Sequence, residues 1–359
     1  MYSAADFHPL LWYLVGTFLF YLAIQQPRSL SRLLLSTLHI SSMIVPLSPR
    51  YDMCRFSNCS ILAPFIIYST IHTTSLLCGD GRILQLNSAP LFRRLREVFR
   101  LWSNIRRMRL FNSTDRDTKD KRMSFAMRRM CHAGAVWLMY HLFTELTVRV
   151  LRGLNASIWD FTLPNQGILP RMSSRDLCIR GIMSVNWIWS SYAILSGAHD
   201  LLAIIFVSLL GWDRPDEWPS LFGNPVEVYS LRRFWGIFWH QLHTKLYESF
   251  IPPFLQNAHT SQSQRLEFVR KSLRAFWIFF LSASCHAFAN WVIFRNAYVI
   301  PEMRFFFINY ALCLTETVGN RTVGKIIEPG WWSTRVIGYV WVLFVFICLV
   351  PGWRYPLMF

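Results

Sequence analysis

The sequence predicts an all-α protein, a polytopic transmembrane helical bundle of about eight spans with interfacial helices. Three observations lead there. Of 359 residues, 53% are hydrophobic and 16% charged, against about 25% charged in a soluble domain. The charge is unevenly spread, with long stretches nearly free of it and Lys and Arg gathered between them. Aromatic residues are abundant, with 16 Trp, 29 Phe and 13 Tyr, which suits membrane interfaces. No polar segment is long enough to bury a core of its own, so a single membrane domain over 1–359 is expected.

The spans follow in chain order. The first covers Pro9–Ile24 and is followed by Arg28 and Arg32, which mark that side as cytoplasmic. It lacks a basic residue before its apolar run, so it is expected to be retained as a span, with the N-terminus luminal. The second, Leu33–Leu47, is short, and the third covers Ile61–Cys78. A basic cytosolic loop is expected over 79–130, then a fourth span at Ala133–Leu151 and a luminal loop at 152–180. The stretch Gly181–Gly211 is apolar for 31 residues and reads as one long tilted helix or as two broken near Gly197. After a polar region at Trp212–Arg233 comes an aromatic amphipathic segment, Phe234–Phe250, and a polar connector over 256–270. Three spans close the chain, at Leu273–Phe294, Phe305–Val318 and Val336–Val350. With eight spans the C-terminus is luminal too.

The net charge of +17 raises the question of nucleic acid. Its placement answers against it. Between Arg93 and Arg129 lie 13 Lys/Arg and 4 Asp/Glu, so net +9 sits in one segment between apolar spans. That is the positive-inside pattern, and it suits contact with anionic lipid headgroups. No recognition motif accompanies the charge. The eight cysteines include no C-x-x-C pair, which leaves zinc knuckles and thioredoxin chemistry unsupported. Cys54 and Cys59 share a short loop and would pair only if it faced an oxidising lumen. Asn58 and Asn155 each open a glycosylation tripeptide on the predicted luminal side.

Two histidines stand out. His286 lies mid-span, where an ionisable group is costly and usually functional. Ser282, His286 and Asn290 are spaced by four and share one helical face. Such neighbours fix an imidazole tautomer, as a general base requires; a plain helix–helix hydrogen bond is the alternative. His240 falls in an aromatic run. Read as a helix, that run puts Trp235, Trp239 and Leu242 on an apolar face and His240, His243 or Thr244, and Tyr247 on a polar one. It describes an interfacial helix. His240 and His243 lack a third ligand, so no metal is expected. His199-Asp200 reads as a buried pair that orients its helix or polarises a substrate.

The run Ser230-Leu231-Arg232-Arg233-Phe234-Trp235-Gly236-Ile237-Phe238-Trp239-His240 resembles the S-L-x-x-F-W-x-x-x-W motif of the wax synthase branch of the membrane-bound O-acyltransferases. The span with Ser284-Cys285-His286-Ala287 resembles that branch's histidine-bearing helix, and the likeness is strongest over 225–350. Many members of the superfamily carry Asn at the place of His240. In size and pattern the chain is also similar to fungal acetyltransferases of that branch that act on terpenoids and meroterpenoids.

The resemblance implies a multi-pass enzyme of the endoplasmic reticulum. It would transfer acetyl from acetyl-CoA, as a co-substrate and not a bound cofactor, to a lipophilic alcohol. His286 would be the general base and His240 a donor to the oxyanion. Trp235 and Trp239, with Ser282 and Asn290, would line the substrate path, while Arg232, Arg233 and Lys245 would attract the coenzyme A phosphates. Three alternatives stay open: a long-chain wax ester synthase, a non-catalytic transporter or assembly protein, and a membrane prenyltransferase or cyclase. For the prenyltransferase only one acidic motif, Asp213 to Asp216, is available.

Overall fold

The computed structural model describes residues 8–48, 59–79, 84, 89–108, 110, 119–168, 173–256, 264–295, 299–322 and 332–358. Asn58 and Cys54 lie outside the described residues, so the expectations placed on them do too. Among the described residues every regular element is a helix. The chain divides into two compact units, Met1–Met108 with Leu242–Met303, and Arg109–Gln241 with Arg304–Phe359.

The first unit opens with α1 (His8–Ala23) and α2 (Leu30–Ile44), which pack on each other. Ser29 caps α2 by accepting from the Arg32 amide, a contact worth about 1 kcal/mol. Next come α3 (Cys59–Thr74), which runs on as a π-helical turn through Gly79, and the basic helix α4 (Leu91–Ser103). The short helices α8 (Thr244–Glu248) and α9 (Pro253–Gln256) lead to the long α10 (Gln264–Phe294). His39 is fully buried between α1 and α3, one ring nitrogen 2.7 Å from the Gly16 carbonyl oxygen and the other 2.7 Å from Thr73 Oγ1. Ile66 and Ile67 of α3 meet Ala289, Val292 and Ile293 of α10 in one apolar cluster.

The second unit is built on α6 (Ser174–Ala203), with α5 (Lys119–Gly153) and α12 (Trp332–Arg354) packed against it. Ser173 and Asp176 form a reciprocal capping box at the start of α6, both bonds at 3.1 Å. The stretch that read as one helix or two is one: α6 continues without a break at Gly197 into a π-helical turn, Ile204–Leu209. It ends at Gly211, which takes the left-handed conformation (φ 61°) that a glycine adopts without steric penalty. The short α7 (Leu231–Arg233) and α11 (Val299–Thr322) from Arg304 onward complete the unit.

Five helical segments are long and apolar enough to cross a bilayer: Leu30–Leu47, Leu62–Gly79, Ser174–Leu209, Gln264–Phe294 and Arg335–Arg354. The other three expected spans are of a different kind. With 16 residues, α1 is about 24 Å long, short of the ~30 Å hydrocarbon core. The 35-residue α5 carries Glu145 and Arg149, and α11 carries Glu302, Arg304, Glu316 and Arg321. The basic segment 79–130 holds α4 and the first turns of α5. On α4, Val98 and Leu101 are buried while Leu91, Phe92 and Leu95 are exposed beside Arg93.

Candidate active site

His286 lies in the C-terminal third of α10, and Ser282, His286 and Asn290 are each partly buried on one face, as their spacing required. The Asn290 amide donates to Glu302 Oε1 at the start of α11, and Glu302 is 1% exposed. One residue before His286, Cys285 packs with Tyr68 and Tyr247. The Tyr247 hydroxyl donates to that of Tyr68 over 3.2 Å, and the His243 ring stacks on Tyr68 at 3.5 Å. The helix around His286 is thus fixed on its buried side by aromatic packing, which holds the other face in register.

The segment 231–248 departs from the continuous helix expected for Phe234–Phe250. Ser230 caps α7 by accepting from the Arg233 amide (3.2 Å), and Phe234–Phe238 form a π-helical turn. At Trp239 the backbone is extended (φ −63°, ψ 146°), and helix resumes only at Thr244. The Trp239 amide closes the π-turn on the Phe234 carbonyl at 2.7 Å. The Gln241 side-chain amide then donates to the carbonyls of Trp235 (3.1 Å) and Trp239 (2.9 Å), acceptors that a helix end would leave open. His240 therefore sits just past a helix end, and the two-faced pattern read across His240, Leu242, His243 and Tyr247 does not apply.

Long-range contacts in the second unit impose this break. Glu316 accepts the Leu231 amide (2.8 Å), the Arg232 amide (3.0 Å) and the Trp341 indole N–H (2.8 Å). The Trp235 indole donates to Asn309 Oδ1 over 3.0 Å. Phe234 is 1% exposed, stacks on Trp239 at 5.1 Å and meets Phe346 at 4.7 Å. Gly223 donates to the Phe238 carbonyl (2.9 Å), and a methyl at Gly223 would collide with the Ile237 carbonyl oxygen. Phe222 stands edge-on to the His240 ring at 5.7 Å.

The basic candidates are not equivalent. Arg233 is engaged: it pairs with the Glu227 carboxylate, donates from Nε to the Glu227 carbonyl (3.0 Å) and lies over the Tyr229 ring. Arg232 and Lys245 are exposed. His286, Ser282, Asn290 and Lys245 belong to the first unit, and Trp235, Trp239, His240, Arg232 and Arg233 to the second. Among the described residues there is no group of three His, Cys, Asp or Glu placed to hold a metal ion.

A polar cluster that the sequence half-revealed lies on α5 and α6. Asp200, 1% exposed, accepts from Arg129 Nη1 at 2.7 Å, and its other oxygen is 2.5 Å from His132 Nδ1. Arg129 also donates to the Trp218 carbonyl. His199, the other half of the pair read from the sequence, packs its ring against Trp218 at 5.1 Å. Arg129 and His132 carry no local motif of their own. A signal existed, since they are three apart at the edge of an apolar stretch, but their partner is 71 and 68 residues away.

Residues 218–308 match the membrane bound O-acyl transferase family. That segment includes Trp235, Trp239, His240 and His286. The chain is 27% identical over 169 residues to the acetyltransferase eriL of Hericium erinaceus, covering 46% of this chain and 42% of that protein. It is 30% identical over 218 residues to the acetyltransferase aurG of Calcarisporium arbuscula (56% and 50%), and 28% over 189 residues to the acetyltransferase TRI7 of Fusarium sporotrichioides (49% and 41%). The chain spans about half the length of the relatives it matches. No solved structure matches it.

Proposed function

We propose that the protein is a membrane-bound O-acyltransferase that moves acetyl from acetyl-CoA to a hydroxyl of a lipophilic alcohol, a terpenoid or meroterpenoid. The observation that carries the reading is one segment, 218–308, that matches the acyltransferase family and contains both the aromatic motif and the α10 histidine, His286. The relatives' shared designation as acetyltransferases supports a two-carbon acyl group.

In this reading the imidazole of His286 takes the acceptor hydroxyl proton as the oxygen attacks the thioester carbonyl carbon. Removing that proton in concert with attack is worth about 10²–10⁴ in rate. His240 donates to the oxygen on which negative charge develops. The tetrahedral intermediate collapses with cleavage of the C–S bond, and the proton held by His286 passes to the leaving thiolate. Ser282 and Asn290 flank His286 on its face, while Trp235 and Trp239 form the apolar wall for the acceptor. Arg232 and Lys245 attract the coenzyme A phosphates; Arg233, held by Glu227, acts through the local fold. The base sits in an apolar helix because its acceptor arrives from lipid, in a multi-pass protein of the endoplasmic reticulum in which α1, α5 and α11 join the five long apolar segments.

The test is ester formation in microsomes from labelled acetyl-CoA and a panel of terpenoid alcohols, read by mass. Acetyl ester formed by the wild type and lost in His286→Ala at equal abundance supports the reading. Ester only from palmitoyl-CoA and fatty alcohols would move the acceptor to waxes. Ester formed equally by the variant would remove His286 as the base.

A further inference from the structure

A cleft of about 320 Å³ opens in the second unit between α6 and the 220–224 segment; most of its lining is polar, including Arg129, His132, His199, Asp200 and Asn224, with Tyr192, Leu221 and Phe222 as its apolar wall. Its size falls in the range of small-molecule sites. Three features of its lining restrict what it can hold.

The first is the state of His132. A carboxylate only accepts hydrogen bonds, so His132 donates from Nδ1 to Asp200 across 2.5 Å. In the neutral ring Nε2 is then an acceptor, on the edge of the imidazole away from Asp200. The Tyr192 hydroxyl stands 3.5 Å from Nε2, beyond the distance of a strong O–H···N contact. A closer donor can replace it. The second feature is charge. The Arg129 guanidinium and the Asp200 carboxylate, 2.7 Å apart, cancel each other, which makes the cleft a poor seat for phosphate or carboxylate. The third is the wall. Tyr192 lies against Phe222 at 4.8 Å and stacks on Trp189 at 5.6 Å, so an apolar aromatic surface borders the imidazole.

We infer that this cleft binds an uncharged lipophilic alcohol, with the ligand's hydroxyl donating to His132 Nε2 and its hydrocarbon part lying on Tyr192 and Phe222. Asp200 is a positioning residue that fixes the imidazole tautomer, and Arg129 holds Asp200. In calling the ligand the acceptor, the inference rests on the acyltransferase reading; His132 recognises the alcohol in the cleft, and the hydroxyl is released from His132 before His286 removes its proton.

The test uses the full chain in membranes and photoreactive diazirine analogues of farnesol and geranylgeraniol, each paired with the analogue lacking the hydroxyl. Cross-linked peptides are mapped by mass. The expected result is labelling of peptides containing Tyr192 or Phe222, with half-saturation about tenfold higher for the hydroxyl-less probe and for His132→Ala. His132→Gln, which keeps an acceptor oxygen, restores most of the labelling and shows that the loss is not misfolding. Absence of label from the cleft, or equal label from both probes, overturns the inference. In the ester assay His132→Ala raises KM for the alcohol about tenfold and leaves kcat within threefold; a loss in kcat alone overturns the recognition role. Ester formation without cleft labelling sinks this inference and spares the acyltransferase. Hydroxyl-dependent cleft labelling without ester from any thioester keeps the site and sinks the acyltransferase.

Discussion

The two histidines of the acyltransferase-like segment occupy opposite kinds of backbone. His286 stands in an uninterrupted 31-residue helix, α10, where its neighbours on the same face follow from the helical period alone. His240 stands where a π-turn ends, in backbone held by a glutamine side chain and by a carboxylate from α11. A regular helix places a side chain with local hydrogen bonds that survive most substitutions elsewhere. A broken one places it with contacts from distant sequence, each of which is a separate point of failure. On this ground the environment of His286 should be robust and its chemistry sensitive, while for His240 the supporting framework should be the sensitive part.

The largest effect expected is His286→Ala, a fall of about 10²–10⁴ in ester formation with abundance and melting unchanged; a fall in abundance that matches the fall in ester would instead make the residue structural. Next is Glu316→Ala, remote in sequence from both histidines. It leaves the Leu231 and Arg232 amides and the Trp341 indole without their acceptor, at a cost of about 1–3 kcal/mol for each one that stays buried. Thermal unfolding in detergent should shift down and ester formation should drop by about tenfold, whereas an unchanged product yield would detach the motif's geometry from activity. Trp235→Phe removes the bond to Asn309 and shrinks the ring that packs on Phe234, Trp239 and Phe346; it should lower stability by about 1–3 kcal/mol without altering the acyl product.

The smallest effect lies away from both regions, at the 157–161 turn. Arg175 holds the Asp160 carboxyl down to about 2 from its usual 3.8, helped by the Ser157 amide. A depressed carboxyl contributes its full stabilisation above the unfolded value and loses it as pH falls through the folded one. Acid unfolding of the wild type should therefore steepen between about pH 4 and 2, and Asp160→Asn should flatten that limb. Equal acid limbs in the two proteins would show that the Arg175 contact is screened away.

The contrast between the two histidines also explains what the sequence could disclose. The α10 face bearing Ser282, His286 and Asn290 was legible because a period of 3.6 needs no knowledge of the rest of the chain. The single long helix over 181–211 was legible as a stretch, though not as unbroken, because Gly197 is tolerated inside a packed helix and only the structure shows that it is. The break at Trp239 was not. Nothing in Phe234–Phe250 acts as a strong local helix stop, and the partners that open it, Asn309, Glu316 and Phe346, lie at least 60 residues further on. Arg129 and His132 escaped for the same reason, since their meaning depends on Asp200. Among the expected spans, α5 and α11 read as helices from their apolar runs, and the charges they carry set them apart from the five apolar segments.

Glu316 carries one more consequence, for the order in which the protein is made. The ribosome completes 231–240 well before Asn309, Glu316, Trp341 and Phe346 leave the exit tunnel. Until they arrive, the Leu231 and Arg232 amides have no carboxylate, Trp235 has no amide partner and Phe234 has no aromatic neighbour from α12. The nascent motif must wait through the synthesis of α10, α11 and α12 in whatever conformation its local sequence prefers, a continuous aromatic helix among them. A polypeptide released after residue 308 would hold every residue of the family match, yet it would lack the scaffold that turns Trp239 out of the helix. The motif's shape is thus a late event in biogenesis, set by α11 and α12, which are translated after it.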